Sequence, residues 1–155
     1  MRLFIATPIN FPLYCVVKAN FSKYIEGKWV EGWNLHLTHK FIGKDNPAKY
    51  KKALTIPQEE IKIKRLNIFG SKILYLEAKV SDRVTQEINK KFNLTNDKPF
   101  KPHITLCRIK HIKDKKFFEE LKNWDNWEIN YSLEVYLYKS ILTKKGPIYE
   151  KIYKY

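Results

Sequence analysis

Two short stretches of the sequence each place a histidine and a threonine two residues apart. They are His36-Leu37-Thr38 and His103-Ile104-Thr105. Both stretches lie in apolar runs that favour β-strands, and side chains two residues apart on a strand point to the same face. Each stretch therefore presents an imidazole and a hydroxyl together. We expect the two pairs to face each other across one cleft.

The chemistry that suits such a cleft is acid–base catalysis on an anion. Histidine titrates near pH 6.5, so one ring can be neutral while the other is protonated, and the two can act as general base and general acid in one turnover. The threonine hydroxyls can donate hydrogen bonds to the oxygens of a bound phosphodiester. The alternative is that both are structural strand histidines bonded to the backbone.

The charge and cysteine content limit the function classes. The formal net charge of +14 attracts polyanions, RNA or DNA first, although an AT-rich genome would also enrich lysine. Cys15 and Cys107 have no metal-ligand spacing and are too few for a disulfide framework. We expect no metal and no cofactor. The apolar start of the chain is too short for a signal peptide, and no stretch approaches the roughly 20 residues of a membrane span, so a cytoplasmic protein that does not bind membranes is expected. A monomer is expected as well.

Apolar periodicity predicts the elements that must position these groups. Strands are expected over 3–7, 35–42, 61–69, 73–80, 103–109, 127–135, 136–143 and 148–153. Helices are expected over 12–25, 47–54, 81–92 and 114–124, with Gly27 ending the first and a connector over 29–33.

This order predicts an α+β fold. The two His-x-Thr strands lie 67 positions apart (103 minus 36), and each precedes a basic turn and a short helix, which suggests an internal duplication. We expect a bilobal, duplicated fold in which two mostly antiparallel sheets face a central cleft and helices cover the outer faces. No Gly/Ser linker separates the halves, so residues 1–155 are expected to form one domain.

The flanks of the two motifs resemble those of a known superfamily. Residues 35–43 (LHLTHKFIG) resemble the H-x-[ST]-x-x-F-[LI]-G signature of the two-histidine (2H) phosphoesterases, and residues 100–108 (FKPHITLCR) resemble their second signature, P-H-[IV]-T-L-x-R. The opening residues 2–6 and the C-terminal pattern from Ser140 through Gly146-Pro147 to Tyr149 add to the likeness. Within the superfamily, the chain resembles the RNA 2′,3′-cyclic phosphodiesterases of bacteria and archaea, also called 2′-5′ RNA ligases.

This resemblance implies metal-independent hydrolysis of a terminal 2′,3′-cyclic phosphate to a 2′-phosphate. The implied partners are RNA or oligoribonucleotide ends and nucleotide cyclic phosphates, and reversible 2′-5′ ligation is implied as well. Within this class, the alternatives are 2′-5′ oligoadenylate, a nucleotide cyclic phosphate, or an ADP-ribose cyclic phosphate from splicing. From a different class, the alternative is a basic RNA-binding protein without turnover.

Carried over residue by residue, the resemblance makes His36 and His103 the catalytic pair. Thr38 and Thr105 would hold the non-bridging phosphate oxygens, and Arg108 would contact the phosphate. We assign His36 as the acid that protonates the leaving 3′-oxygen and His103 as the base that activates water. Simple alternation aims Arg108 away from His103 and Thr105, so a bulge or the strand end must re-aim it, or it has another role.

Four nearby residues are accessory candidates. By alternation, Lys40 shares the cleft face with His36 and could meet an RNA backbone. Phe41, Trp33 and Tyr14 could stack a base, although a core position is the ordinary one for such residues.

Three other candidates are expected to play no part in catalysis. His39 follows Thr38 and is expected to be structural, and His111 lies among basic residues that indicate solvated surface. Cys107 has no evident third group that would orient it as a nucleophile.

Overall fold

Two sheets and three α-helices make up the protein in the computed structural model, which describes residues 2–155. The strands are β1 (Arg2–Pro8), β2 (Ile25–Trp29), β3 (His36–Gly43), β4 (Glu60–Phe69), β5 (Ile73–Lys79), β6 (His103–Ile112), β7 (Ile129–Ser132), β8 (Tyr136–Thr143) and β9 (Gly146–Lys154). The helices are α1 (Tyr14–Phe21), α2 (Arg83–Phe92) and α3 (Lys116–Lys122), with short 3₁₀ helices at Gly32–Asn34 and Pro47–Tyr50. None of the helices among residues 2–155 has the length and hydrophobicity of a membrane-spanning segment.

The strands form two antiparallel sheets. Sheet A has the order β3-β1-β8-β9, and sheet B has the order β2-β6-β5-β4-β7. All the strand pairs within them are antiparallel. The predicted fold class, α+β with two mostly antiparallel sheets, is therefore confirmed.

The two halves of the chain repeat one strand–helix–strand unit. Strands β1 and β3 flank α1 in sequence and pair in sheet A, just as β5 and β6 flank α2 and pair in sheet B. The register also repeats: the partners are Pro8 with His36 and Ala6 with Thr38 in sheet A, and Glu77 with His103 and Tyr75 with Thr105 in sheet B. This equality of register supports the duplication inferred from the motif spacing.

Two of the helices pack on the sheet of the other half. In α2, the Thr85 hydroxyl donates to the His39 carbonyl oxygen of β3 in sheet A, at 2.9 Å. In α1, the Tyr14 hydroxyl donates to the Leu106 carbonyl oxygen of β6 in sheet B, at 3.2 Å. Buried residues of both sheets form one continuous apolar cluster. Neither sheet can bury its apolar face with its own half alone, which favours the predicted single domain; that organisation stays a prediction.

Strand β2 is the largest departure from the predicted elements. The helix predicted over 12–25 ends at Phe21, and Ile25–Trp29 pairs with β6 instead. Gly27 does not end a helix: a Cβ there would lie 2.3 Å from the Arg108 carbonyl oxygen, so only glycine lets the strands approach. An apolar stripe cannot separate the end of a helix from a buried strand residue such as Ile25. The helix predicted over 47–54 is only a 3₁₀ turn, Pro47–Tyr50.

Candidate active site

His36 and His103 occupy the first positions of β3 and β6, and each ring is tied to the backbone two residues earlier. Nδ1 of His36 lies 2.6 Å from the Asn34 carbonyl oxygen, and Nδ1 of His103 lies 2.7 Å from the Lys101 carbonyl oxygen. A carbonyl oxygen only accepts hydrogen bonds, so Nδ1 carries the hydrogen in both rings. Nε2 is then the atom of each ring that takes up or releases a proton.

Aromatic rings hold each imidazole in place. The His36 ring lies 5.0 Å from the ring of Phe4 and meets Tyr149 edge to face at 5.1 Å. The His103 ring meets Phe69 at 5.2 Å and Tyr75 at 5.7 Å, both edge to face. Each imidazole is thus fixed by one backbone hydrogen bond and two aromatic neighbours, which limits its rotation.

The two imidazoles are close enough for the charge of His103 to act on His36. Burial lowers the pKa of His36, the hydrogen bond to the Asn34 carbonyl opposes this, and positive charge on His103 lowers the pKa further. Strands β3 and β6 also contact each other. The structure therefore brings the two His-x-Thr motifs together, with half-exposed Thr38 and Thr105 beside them.

A β-bulge re-aims Arg108 toward the cleft. Successive residues of β5 pair with Thr105 and Cys107, so Leu106 is an extra residue in β6. Leu106 and Cys107 are both buried, and Arg108 beyond them is exposed. Because the extra residue reverses the alternation, Arg108 returns to the face of His103 and Thr105. The simple alternation that aimed Arg108 away from them is wrong at this point of the strand.

Arg108 also lies near Tyr149 of β9. Burial raises the pKa of the Tyr149 hydroxyl, and the positive charge of Arg108 opposes this rise. Since the Tyr149 ring contacts His36, Arg108 reaches the region between the two sheets. A phosphate held near His36 would therefore have a guanidinium within range.

The same bulge occurs in β3, at the equivalent position of its motif. Thr38 and Lys40 pair with successive residues of β1, so His39 is the extra residue. Phe41 then returns to the cleft face, where it pairs with Phe4, lies 6.3 Å from its ring, and is 73% exposed. Phe41 is thus not a core residue, and it takes the position in its motif that Arg108 takes in the other.

The bulge also moves Lys40 away from the cleft face. Lys40 lies opposite Ile5, whose side chain is in the main core. Its ammonium group donates to the Thr95 carbonyl oxygen at 2.5 Å and to Asn96 Oδ1 at 2.9 Å. The expectation that Lys40 shares a face with His36 is therefore wrong. Lys40 ties β3 to the loop that leads into β6.

The β8–β9 hairpin closes one side of the cleft, and sequence reasoning assigned it no role. Asn34 Nδ2 donates to the Pro147 carbonyl oxygen at 3.0 Å, and the Lys28 ammonium lies 3.3 Å from where a Cβ on Gly146 would be. The twist of a sheet lifts diagonal corners toward one face, and the start of β3 and the hairpin tip are diagonal corners of sheet A. The twist thus brings Tyr149 into contact with His36. In the sequence, the Gly-Pro-x-Tyr pattern was the feature that could have indicated this contact.

The remaining candidates lie away from the chemistry. His39 is buried, with Nε2 2.8 Å from the Thr7 hydroxyl, and His111 is exposed. Burial raises the pKa of the Cys107 thiol to about 11, which disfavours a nucleophilic thiolate. Trp33 is 82% exposed rather than core, whereas Tyr14 is buried. Among residues 2–155, no group of three or more His, Cys, Asp or Glu side chains could hold a metal ion.

A groove of about 630 Å³ extends the cleft along sheet B beside His103. Phe69 and Tyr75, which flank the His103 ring, form part of its wall. Its charged side chains are Lys64, Arg65, Lys79, Lys101, Glu77, Asp125 and Glu128. Arg65 pairs with Glu77 at 2.9 Å, and the four cations of this groove face three carboxylates, so its net positive charge is small.

Two curated proteins resemble this chain over most of its length. A Methanocaldococcus jannaschii protein named RNA 2′,3′-cyclic phosphodiesterase is 33% identical, over 98% of this chain and 98% of its own length. An Aquifex aeolicus protein of the same name is 30% identical, over 86% of this chain and 83% of its own length. No family model matches the chain.

Solved structures share the fold at lower identity. TT0787 of Thermus thermophilus superposes with a TM-score of 0.75 at 21% identity, covering 100% of this chain and 97% of that one. E. coli LigT complexed with 3′-AMP superposes with a TM-score of 0.74 at 18% identity, covering 99% and 96%. At these identities the likeness establishes the fold.

Proposed function

Since the chain belongs to the RNA 2′,3′-cyclic phosphodiesterase family, we propose that it hydrolyses the terminal 2′,3′-cyclic phosphate of RNA to a 2′-phosphate. The chain is a hydrolase of the 2H phosphoesterase type. The observation that carries the proposal is the matched pair of Nδ1 hydrogen bonds, which leaves one titratable Nε2 on each of two neighbouring imidazoles. One ring can then accept a proton while the other donates one.

The reaction balances with these two rings alone. His103 Nε2 takes a proton from water as the water oxygen bonds to phosphorus. The bond from phosphorus to O3′ breaks, and His36 Nε2 gives its proton to O3′. The products are a 2′-phosphate and a free 3′-hydroxyl. Arg108, Thr38 and Thr105 stabilise the charge that develops on the phosphate oxygens.

Burial of His36 has a consequence for the acid role. It favours the neutral ring in the free protein, because the imidazolium is poorly solvated there. A bound cyclic phosphate carries a negative charge that supports the protonated ring. We therefore expect His36 to become protonated when the substrate binds.

The first experiment follows an RNA that ends in a 2′,3′-cyclic phosphate, in EDTA, by ³¹P NMR in H₂¹⁸O. We expect a 2′-phosphate that carries the label. His36→Ala and His103→Ala should each lower kcat by about 10²–10⁴-fold. His111→Ala, a substitution of an exposed histidine on the same strand as His103, is the matched control. Parent rates in both cleft variants would refute the mechanism, and tight binding without conversion would favour a non-catalytic RNA-binding protein.

A second experiment separates the acid from the base. A p-nitrophenyl phosphodiester has a leaving group that needs no protonation, so the variant that lacks the acid should keep most of its activity on it. We expect His36→Ala to be rescued in this way and His103→Ala not to be. The reverse pattern would exchange the two roles.

The same proteins test the alternative substrates and the ligation that the family resemblance implies. Ligation requires the 5′-hydroxyl of a second RNA in place of water, so a 2′-5′ linked product should depend on both histidines. Cleavage of 2′-5′ oligoadenylate or of a nucleotide cyclic phosphate with higher kcat/KM than the RNA end would change the substrate assignment.

A further inference from the structure

We propose that the cleft-facing surface of β8 and β9 binds the RNA backbone on the 5′ side of the cyclic phosphate. The surface, termed here the lysine–tyrosine track, consists of half-exposed Tyr136 and exposed Lys151 and Lys154. The inference deepens the proposed function and rests on it. It makes RNA strands, rather than single nucleotides, the substrates that the protein binds best.

The track lies on the same face of sheet A as the catalytic groups. Thr38 pairs with Ala6, Ala6 with Tyr136, and Tyr136 with Lys154, so these four residues form a row across the sheet. Cross-strand partners share a face. Three strand spacings of about 4.8 Å put the backbone of Lys154 roughly 14 Å from that of Thr38.

An aromatic layer joins the two ends of this row. The Phe4 ring contacts His36 and stacks on Tyr138 at 5.1 Å, with an interplanar angle of 4°. Tyr138 in turn meets Tyr136 at 6.2 Å. Phe4, Ala6 and Tyr138 form a small buried cluster, separate from the main core, against which Tyr136 packs. The histidines and the track are therefore joined by one layer of packed rings, and half-exposed Tyr136 at its end offers a face on which a base can stack.

Two ammonium groups converge on one ring of the track. Nζ of Lys151 lies 4.5 Å from the centre of the Tyr136 ring, and Nζ of Lys154 lies 5.7 Å from it. Neither lysine forms an ion pair within residues 2–155. On the opposite face of the same hairpin, Lys139 pairs with Glu150 at 3.3 Å. Positive charge is thus neutralised on the back of the hairpin and left free on the cleft side.

These features select a single nucleic-acid strand as the partner. Single-strand sites combine unpaired cations for phosphates with aromatic rings for bases. The groove beside His103 is a weaker candidate, because its four cations face three carboxylates and Arg65 is paired with Glu77 there. A nucleotide with one phosphate at the histidines has no phosphate left for the lysines, so they would meet the preceding nucleotides.

The test measures binding of an RNA of about eight nucleotides that ends in a 2′-phosphate, by fluorescence anisotropy from about 50 to about 300 mM KCl. For Lys151→Gln/Lys154→Gln we expect the slope of log K against log salt to fall by about 1.4, since each single-strand phosphate contact contributes about 0.7. Affinity at physiological salt should fall about tenfold. The matched control is Lys51→Gln/Lys52→Gln, which removes the same charge from exposed positions. These positions lie beside Tyr50, which packs against Phe92 of α2.

Turnover provides a second readout. The track variant should lose about tenfold in kcat/KM on the RNA and keep the parent kcat/KM on cytidine 2′,3′-cyclic phosphate. Equal slopes for variant and parent, or an equal loss in the control variant, would overturn the track. If neither the parent nor the variants hydrolyse either substrate but the difference in salt slope persists, the proposed function is wrong and the RNA-binding surface is supported.

Discussion

Replacing His39 with glutamine is expected to remove one source of the acid sensitivity of the fold. His39 is 3% exposed, its Nε2 lies 2.8 Å from the Thr7 hydroxyl, and its Nδ1 makes no hydrogen bond with any described residue. Burial lowers the pKa of the ring from 6.5 to about 4. Glutamine keeps a polar partner for Thr7 but cannot take up a proton.

The magnitude follows from the two pKa values. Between pH 6.5 and about 4 the unfolded chain binds the proton and the folded chain does not, so the free energy of unfolding falls as the pH falls. The full difference, 6.5 minus about 4, corresponds to about 3 kcal/mol. Between about pH 7 and about pH 5 the loss from this ring is about 2 kcal/mol.

Urea unfolding followed by tryptophan fluorescence checks this expectation. The difference in free energy of unfolding between parent and His39→Gln should change by about 2 kcal/mol from about pH 7 to about pH 5. His36, whose pKa burial also lowers, is present in both proteins and cancels. His111→Gln, at an exposed position, should show no such change. A pH-independent difference for His39→Gln would refute the reasoning that burial keeps this ring neutral.

Three further substitutions test the geometry of the site. Gly27→Ala would put a methyl group 2.3 Å from the Arg108 carbonyl oxygen. It should cost about 2–3 kcal/mol in urea unfolding, and unchanged stability would contradict the close approach of β2. Asn34→Ala removes the hydrogen bond to Pro147, should cost about 1–2 kcal/mol and should lower kcat more than it raises KM. An unaltered kcat would exclude a positioning role for the hairpin contact. Arg108→Gln should lower kcat/KM by about 10²–10³-fold with the free energy of unfolding unchanged, and a loss below about tenfold would show that Arg108 does not contact the phosphate.

Local sequence rules worked only as far as the threonine of each motif. Alternation along a strand correctly put His36 with Thr38, and His103 with Thr105, because no bulge separates the members of either pair. Beyond the extra residues His39 and Leu106, the same rule misplaced Lys40 and Arg108. A bulge depends on how a strand pairs with its neighbour, so it cannot be predicted from the apolar pattern of one strand alone.

The first helix shows the same limit at a larger scale. Its apolar stripe continued to Ile25, so the periodicity did not predict that the helix ends at Phe21. The helix ends because the residues that follow it pair with β6 as strand β2. Gly27 allows the close approach of the two strands. An apolar run can continue a helix or begin a strand, and contacts with residues far along the chain decide between the two.

The sequence by itself determined the reacting groups, their spacing and the pairing of an imidazole with a hydroxyl, because these depend on residue type and on the period of a strand. Only the tertiary structure decided which ring nitrogen is free, how Arg108 turns back to the cleft, and that Tyr149 reaches His36. Those features depend on backbone carbonyls, bulges and sheet twist, which arise when distant strands pair. The two histidines and their threonine neighbours can be identified from short stretches of sequence, whereas the cleft between them forms only when the two sheets pack together.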